Sequence, residues 1–167
     1  NTTGSDNIAI GCFALRCNNG GFCNIAIGKM AMYGSSTGCN NIAVGVGALG
    51  ANQSGNNDTA VGFIALCSNT IGSCNTAVGA CALALNSTGY CNVAVGYAAL
   101  RCNNSGNQNT AIGTNALFCN TTGSNNTAVG FCALCNNSTG CANTAVGTFA
   151  LGNNTTAIYN LSLIHIS

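Results

Sequence analysis

From Asn7 to Tyr159, one 17-residue unit returns nine times without a single insertion or deletion. Its consensus is N-[TI]-A-[VI]-G-x-x-A-L-x-x-N-x-[TS]-G-x-x, and the units start at Asn7, Asn24, Asn41, Asp58, Asn75, Asn92, Asn109, Asn126 and Asn143. A fixed short period is the signature of a stacked array, because one such unit cannot bury an apolar face alone. The prediction is an all-β parallel β-solenoid (β-roll) of nine 17-residue coils. Equivalent residues then lie one strand spacing apart, about 4.8 Å. The array is predicted over residues 1–159, with a non-repeat tail at 160–167.

Within the unit, positions 2–4 ("TAV", "IAI", "VAV") are β-branched and strand-like, and a glycine ends them at position 5. Positions 12–15 ("NTTG", "NSTG") form a turn whose glycine is expected at positive φ. Positions 6–11 ("FCALCN", "YAALRC") suit either a second short strand or a helical turn, and the second strand is the preferred reading. Alternation along positions 2–4 leaves one question, which side faces in. Position 4 is always Ile or Val and position 9 is Leu except at Met32, so these two are assigned to the core. The opposite face then carries only Ala and Gly, a smooth stripe offered as a subunit interface.

The words "NTAVGxxAL" and "NTTG" resemble the head repeats of trimeric autotransporter adhesins. They are also similar to the 17-residue repeat arrays of phage tail-fibre-like and bacterial surface proteins. The resemblance spans roughly residues 1–156. It implies a left-handed roll that assembles as a homotrimer with itself into a stiff fibre. A host-surface or matrix ligand would sit at a tip absent from this segment, and the location would be extracellular, on a cell surface or virion.

Composition narrows the function. Only 3% of residues are charged and the net charge is +1, so there is no basic footprint for nucleic acid. No apolar run reaches the roughly 18 residues that span a bilayer, so no membrane insertion is expected. Asp6, Asp58, Lys29, Arg16, Arg101 and His165 are too few and scattered to pair a nucleophile with a base. They are read as solvated substitutions at variable positions. The chain is therefore read as a non-catalytic structural segment, with no cofactor. The alternative is a binding module that uses the solenoid face, such as an ice-binding protein, because Thr59, Thr76, Thr110, Thr127 and Thr144 form a column.

Two residue types remain as candidate sites. The chain has 13 cysteines. Cys17 with Cys23, Cys67 with Cys74, and Cys135 with Cys141 bracket a turn, while Cys74 with Cys91 and Cys102 with Cys119 stack on adjacent coils. One rung lies inside the usual disulfide span of about 4.4–6.8 Å between Cα atoms. Connectivity stays open, and Cys12, Cys81 and Cys132 are read as small buried hydrophobes. A metal site at "CALC" (Cys132, Cys135) lacks a second ligand pair. A redox or metal protein is the weakest reading. Asn52, Asn86, Asn103, Asn120, Asn137 and Asn154 all stand in N-x-[ST] sequons on the turn, as does Asn1. They would be glycosylation sites in a secreted eukaryotic protein or, the preferred reading, a hydrogen-bonded ladder. "LSLIHIS" at 161–167 looks like a translated sequencing-adapter end, which would make the chain a fragment of a longer array and leave His165 without meaning.

Overall fold

The computed structural model describes residues 3–163. Ten three-residue strands, β1 (Ile8–Ile10), β2 (Ile25–Ile27), β3 (Ile42–Val44), β4 (Thr59–Val61), β5 (Thr76–Val78), β6 (Val93–Val95), β7 (Thr110–Ile112), β8 (Thr127–Val129), β9 (Thr144–Val146) and β10 (Leu161–Leu163), form one parallel sheet in sequence order. Register is strict: Ala60 pairs Ala77, Ala77 pairs Ala94, and Val61, Val78 and Val95 follow one another rung by rung. One repeat is one coil of a β-solenoid. The segment that the sequence sets outside the array enters the sheet as β10, where Leu161 pairs Thr144. Asn160 there takes up the position-1 role, donating through Nδ2 to Oδ1 of Asn143 at 2.9 Å. His165 and Asn1 lie outside the described residues.

The second strand predicted at positions 6–11 does not form. That stretch is a run of turns, and its backbone is left-handed at positions 7 and 9, as at Ile64 (φ 46) and Leu66 (φ 53), and again at position 17, as at Cys74 (φ 61). L-residues resist this region, Ile most of all. The coil imposes it because each of these amides is bonded to a neighbouring rung. Ile64 N donates back to Val46 O at 2.9 Å and Leu66 N forward to Ala82 O at 3.0 Å. A chain held from both sides can keep strained dihedrals that local propensity would reject.

The two glycine columns also exchange roles. Positive φ belongs to position 5, for example Gly62 at φ +136, where a Cβ would come within 2.6 Å of the Gly79 backbone. The turn glycine at position 15 is not left-handed. At Gly106 a Cβ would overlap the carbonyl oxygen of Gly123 and Oδ1 of Asn103. Space, not dihedral freedom, requires glycine there.

The largest correction concerns which face of the strand points in. Ala at position 3 is fully buried from Ala26 to Ala145, together with Ala at position 8 and Leu at position 9. Position 4 faces out: Val61, Val78 and Val95 are 36–37% exposed and Ile10 59%. Hydrophobic gain alone favours the larger aliphatic for the inner place, because it buries more apolar surface. A 17-residue coil encloses too thin a cross-section for that, so the interior is chosen by size. It takes one Leu, two Ala and two Asn per coil, and the Ala–Gly stripe is the inner wall, not a subunit interface.

Candidate functional site: two inner asparagine ladders, an outer sheet face and a thiol ridge

Each coil turns its two asparagines inward. At position 12, Asn86 Nδ2 donates to Asn69 Oδ1 at 2.9 Å, Asn103 to Asn86 at 2.8 Å, Asn120 to Asn103 at 2.9 Å and Asn137 to Asn120 at 3.0 Å. A second ladder runs through position 1, where Asn109 Nδ2 meets Asn92 Oδ1 at 3.1 Å and Asn126 meets Asn109 at 3.1 Å. Both ladders also donate to one turn carbonyl. Gly106 O accepts from Asn92 at 2.8 Å and from Asn103 at 2.9 Å. Buried amides are costly unless bonded, and here each bond is repeated on the next rung.

This placement removes the turn asparagines from the surface. Asn52, Asn86, Asn103, Asn120 and Asn137 are fully buried, and Asn154 is half-buried with its Nδ2 bonded to Asn137 Oδ1 at 2.9 Å. At position 12, five of these six sequon asparagines therefore present no free amide to a glycosyl carrier in the folded coil. Two coils interrupt the ladders. Ser35 replaces Asn at position 12, and its buried Oγ has no hydrogen-bond partner. Asp58 replaces Asn at position 1. Expected as a solvated substitution, it is fully buried instead.

Asp58 accepts from Asn75 N at 2.8 Å, Asn75 Nδ2 at 3.2 Å and Asn69 Nδ2 at 3.1 Å. Burial nevertheless dominates and pushes its carboxyl up to about 7. The cationic side chains Arg16 and Arg101 lie against rings on the outside. Arg16 covers the rings of Phe13 and Tyr33 at 5.1 and 5.6 Å and donates to the Tyr33 hydroxyl at 3.0 Å, and Arg101 lies 5.7 Å from the Phe118 ring.

The outer sheet face is formed by positions 2 and 4. From Ile8 to Leu163 every one of these positions is Ile, Val, Thr or Leu, so the face carries no charge along its whole length. An uncharged strip of this length, aliphatic at position 4 on every rung, is unusual on a solitary soluble chain.

All 13 cysteines are free thiols. Cys12 is exposed, and Cys81 and Cys132 are half-buried, so none of these three is the core hydrophobe that the sequence suggested. Cys74 and Cys91 stack at position 17, both exposed; burial first and then the neighbouring Cys74 push the Cys91 thiol up. Cys102 and Cys119 stack at position 11. Burial, then Cys102 and Cys132, push the Cys119 thiol up. Burial and the adjacent Cys132 push Cys135 to about 11. Cys17, Cys23, Cys67 and Cys141 lie along the turn columns; Cys67 Sγ donates to Ala84 O at 3.3 Å and Cys141 Sγ to Thr139 O at 3.4 Å. Among the described residues no group of three or more His, Cys, Asp or Glu side chains could hold a metal ion, and no helix is long and apolar enough to cross a membrane.

Comparison with known proteins finds no matching family model, no matching curated protein and no matching solved structure.

Proposed function

We propose that the chain is a non-catalytic structural segment of an extracellular or virion fibre, built as a homotrimer whose three sheets face a common axis. The observation that carries this reading is the uncharged strip of positions 2 and 4. Val61, Val78, Val95, Ile112 and Val146 stand 36–41% exposed on consecutive or near-consecutive rungs. A second copy of the same strip is the surface that matches its flatness, its period and its lack of charge. The coil fills its interior with Leu, Ala and asparagine ladders and keeps its β-branched aliphatics outside, where only association can bury them. The number three comes from the resemblance to trimeric adhesin heads.

Native mass by light scattering, with reductant present, tests it on the wild-type chain and on Val78→Lys/Val95→Lys. The expected result is a wild-type mass of three 16.5 kDa chains and a folded monomer for the double variant. A folded wild-type monomer would refute the assembly.

A second reading is favoured by one relationship. On β4, β5, β7, β8 and β9 a Thr at position 2 shares the outer face with a Val or Ile at position 4, as Thr76 does with Val78. Hydroxyls and methyls then repeat on a planar lattice, which suits ordered water. Thermal hysteresis by a monomeric chain would select this ice-binding reading over the fibre.

A further inference from the structure

Cys102, Cys119, Cys132 and Cys135 occupy three successive coils along one ridge. Cys102 and Cys119 share position 11, so they are separated by one rung, about 4.8 Å. The Cys119 amide donates to Cys135 O at 2.9 Å, and the Cys135 amide donates to Cys132 O at 3.3 Å. The second bond closes a four-residue turn, which brings its end Cα atoms within about 7 Å. Cys119, Cys132 and Cys135 line one open cavity of about 280 Å³ together with Asn115, Phe118 and Asn136. All four thiols are half-buried, reachable from solvent yet held by the backbone. Cys141 is differently placed: its Sγ faces the outer turn, accepting from Ser124 N at 3.3 Å.

We infer that this ridge is a disulfide-accepting site, which reacts with a small-molecule disulfide of the glutathione class to form Cys132–Cys135 and Cys102–Cys119. Each bond takes one equivalent. A protein thiolate attacks one sulfur of the oxidant, the S–S bond breaks, and one small thiolate leaves and takes up the proton released. The second protein thiol, deprotonated in turn, attacks the mixed disulfide and expels the second small thiol. Two protein thiols lose two electrons and one small disulfide becomes two thiols, so two bonds release four. One rung, about 4.8 Å, lies inside the usual Cα range for a disulfide, about 4.4–6.8 Å, and the closed turn brings Cys132 and Cys135 near that range. The high thiol position of Cys135 means that its thiolate is not stabilised in the reduced protein. Attack by the Cys135 thiolate therefore quickens as pH rises, while a turn bond once made resists reduction. The Cys102–Cys119 bond would fasten two coils together at a point where only backbone and ladder hydrogen bonds now join them.

The test is anaerobic incubation of the reduced full chain with oxidised glutathione, an acid quench, alkylation of remaining thiols and peptide mass mapping. Cleavage after Arg101 isolates a fragment with these four cysteines and Cys141. The expected map links Cys102 to Cys119 and Cys132 to Cys135, leaves Cys141 alkylated, and shows a rate rising about tenfold from pH 7 to pH 8. Cys132→Ser should lose the turn bond alone and keep Cys102–Cys119. Four alkylated or glutathionylated thiols, a Cys135–Cys141 link, or scrambled pairing would each overturn the inference. So would a Cys132→Ser chain that forms no bond on this ridge.

Discussion

Asn103 Nδ2 lies 2.8 Å from Oδ1 of Asn86, its counterpart one coil away, and that single relationship, repeated along the rod, lets polar side chains do the work of a core. Each amide serves as donor to one rung and acceptor to the next, so the cost of burying it is met twice. Removing one member should therefore cost more than one bond. Asn103→Ala leaves Asn86 without its donor and Asn120 without its acceptor, for an expected loss of about 3 kcal/mol. The exposed neighbour Asn104, changed to Ala, should move stability by less than about 0.5 kcal/mol. Urea unfolding of both variants measures the contrast.

Asp58 makes the rod pH-dependent. Its carboxyl is pushed up to about 7 in the fold, against 3.8 for the ordinary group, so the folded state holds a proton that the unfolded chain has released. The sign follows: this contribution is fully present below about pH 4 and is lost as pH rises through about 7, at roughly 1.4 kcal/mol per pH unit and about 4 kcal/mol in all. Protonated, Asp58 can donate as the asparagines of its ladder do; ionised, it only accepts. Asp58→Asn should abolish the slope and be the more stable chain at pH 8. Unfolding midpoints at pH 4.5 and pH 8 for both proteins check this.

Ser35 leaves a gap in the position-12 ladder between Asn18 and Asn52, and its Oγ is buried without a partner. Ser35→Asn should restore the bonds made at this position in the other coils and raise stability by about 1–2 kcal/mol. A calorimetric melting temperature that rises supports the ladder account; one that falls would show that the gap cannot hold an amide.

Adjacent residues should differ sharply in what they tolerate. Ala94 is fully buried and Val93 36% exposed. Ala94→Val should cost at least about 2 kcal/mol by overpacking the inner wall, while Val93→Thr, matching five other coils, should stay within about 0.5 kcal/mol. Denaturation curves at a single pH suffice for the comparison.

The period, the rung register and the turn were legible because they are carried by invariant letters at a fixed spacing. Ala9 to Ala145 and Gly11 to Gly147 recur without exception, and the sheet follows them. The inward face was misjudged for a physical reason: hydrophobic gain favours Val over Ala only where there is room, and a narrow coil gives none. The signal was present, since position 3 never varies while position 2 accepts Ile, Val or Thr. The left-handed residues at positions 7 and 9 left little such trace, whereas position 17 carries Asp6, Asn40, Asn57 and Asn125, residue types that tolerate that region. Phe13, Ile64 and Cys81 carry no turn preference, and closure of the coil dictates their dihedrals. Asp58 was misread because its charge was weighed without its column, which is the asparagine ladder. The thiol ridge combines a stacked pair that the columns revealed with Cys132, whose position-7 turn they did not.

The equivalence of one repeat with one coil is tested most directly by deletion. Removing residues 92–108 takes out one whole unit and joins Cys91 to Asn109 with every column intact; removing 92–107 leaves all later columns one place out of step. The 17-residue deletion should unfold cooperatively at nearly the wild-type urea midpoint, and the 16-residue deletion should lose both ladders across the junction and several kcal/mol of stability. Equal behaviour of the two deletions, or collapse of the 17-residue one, would contradict the account.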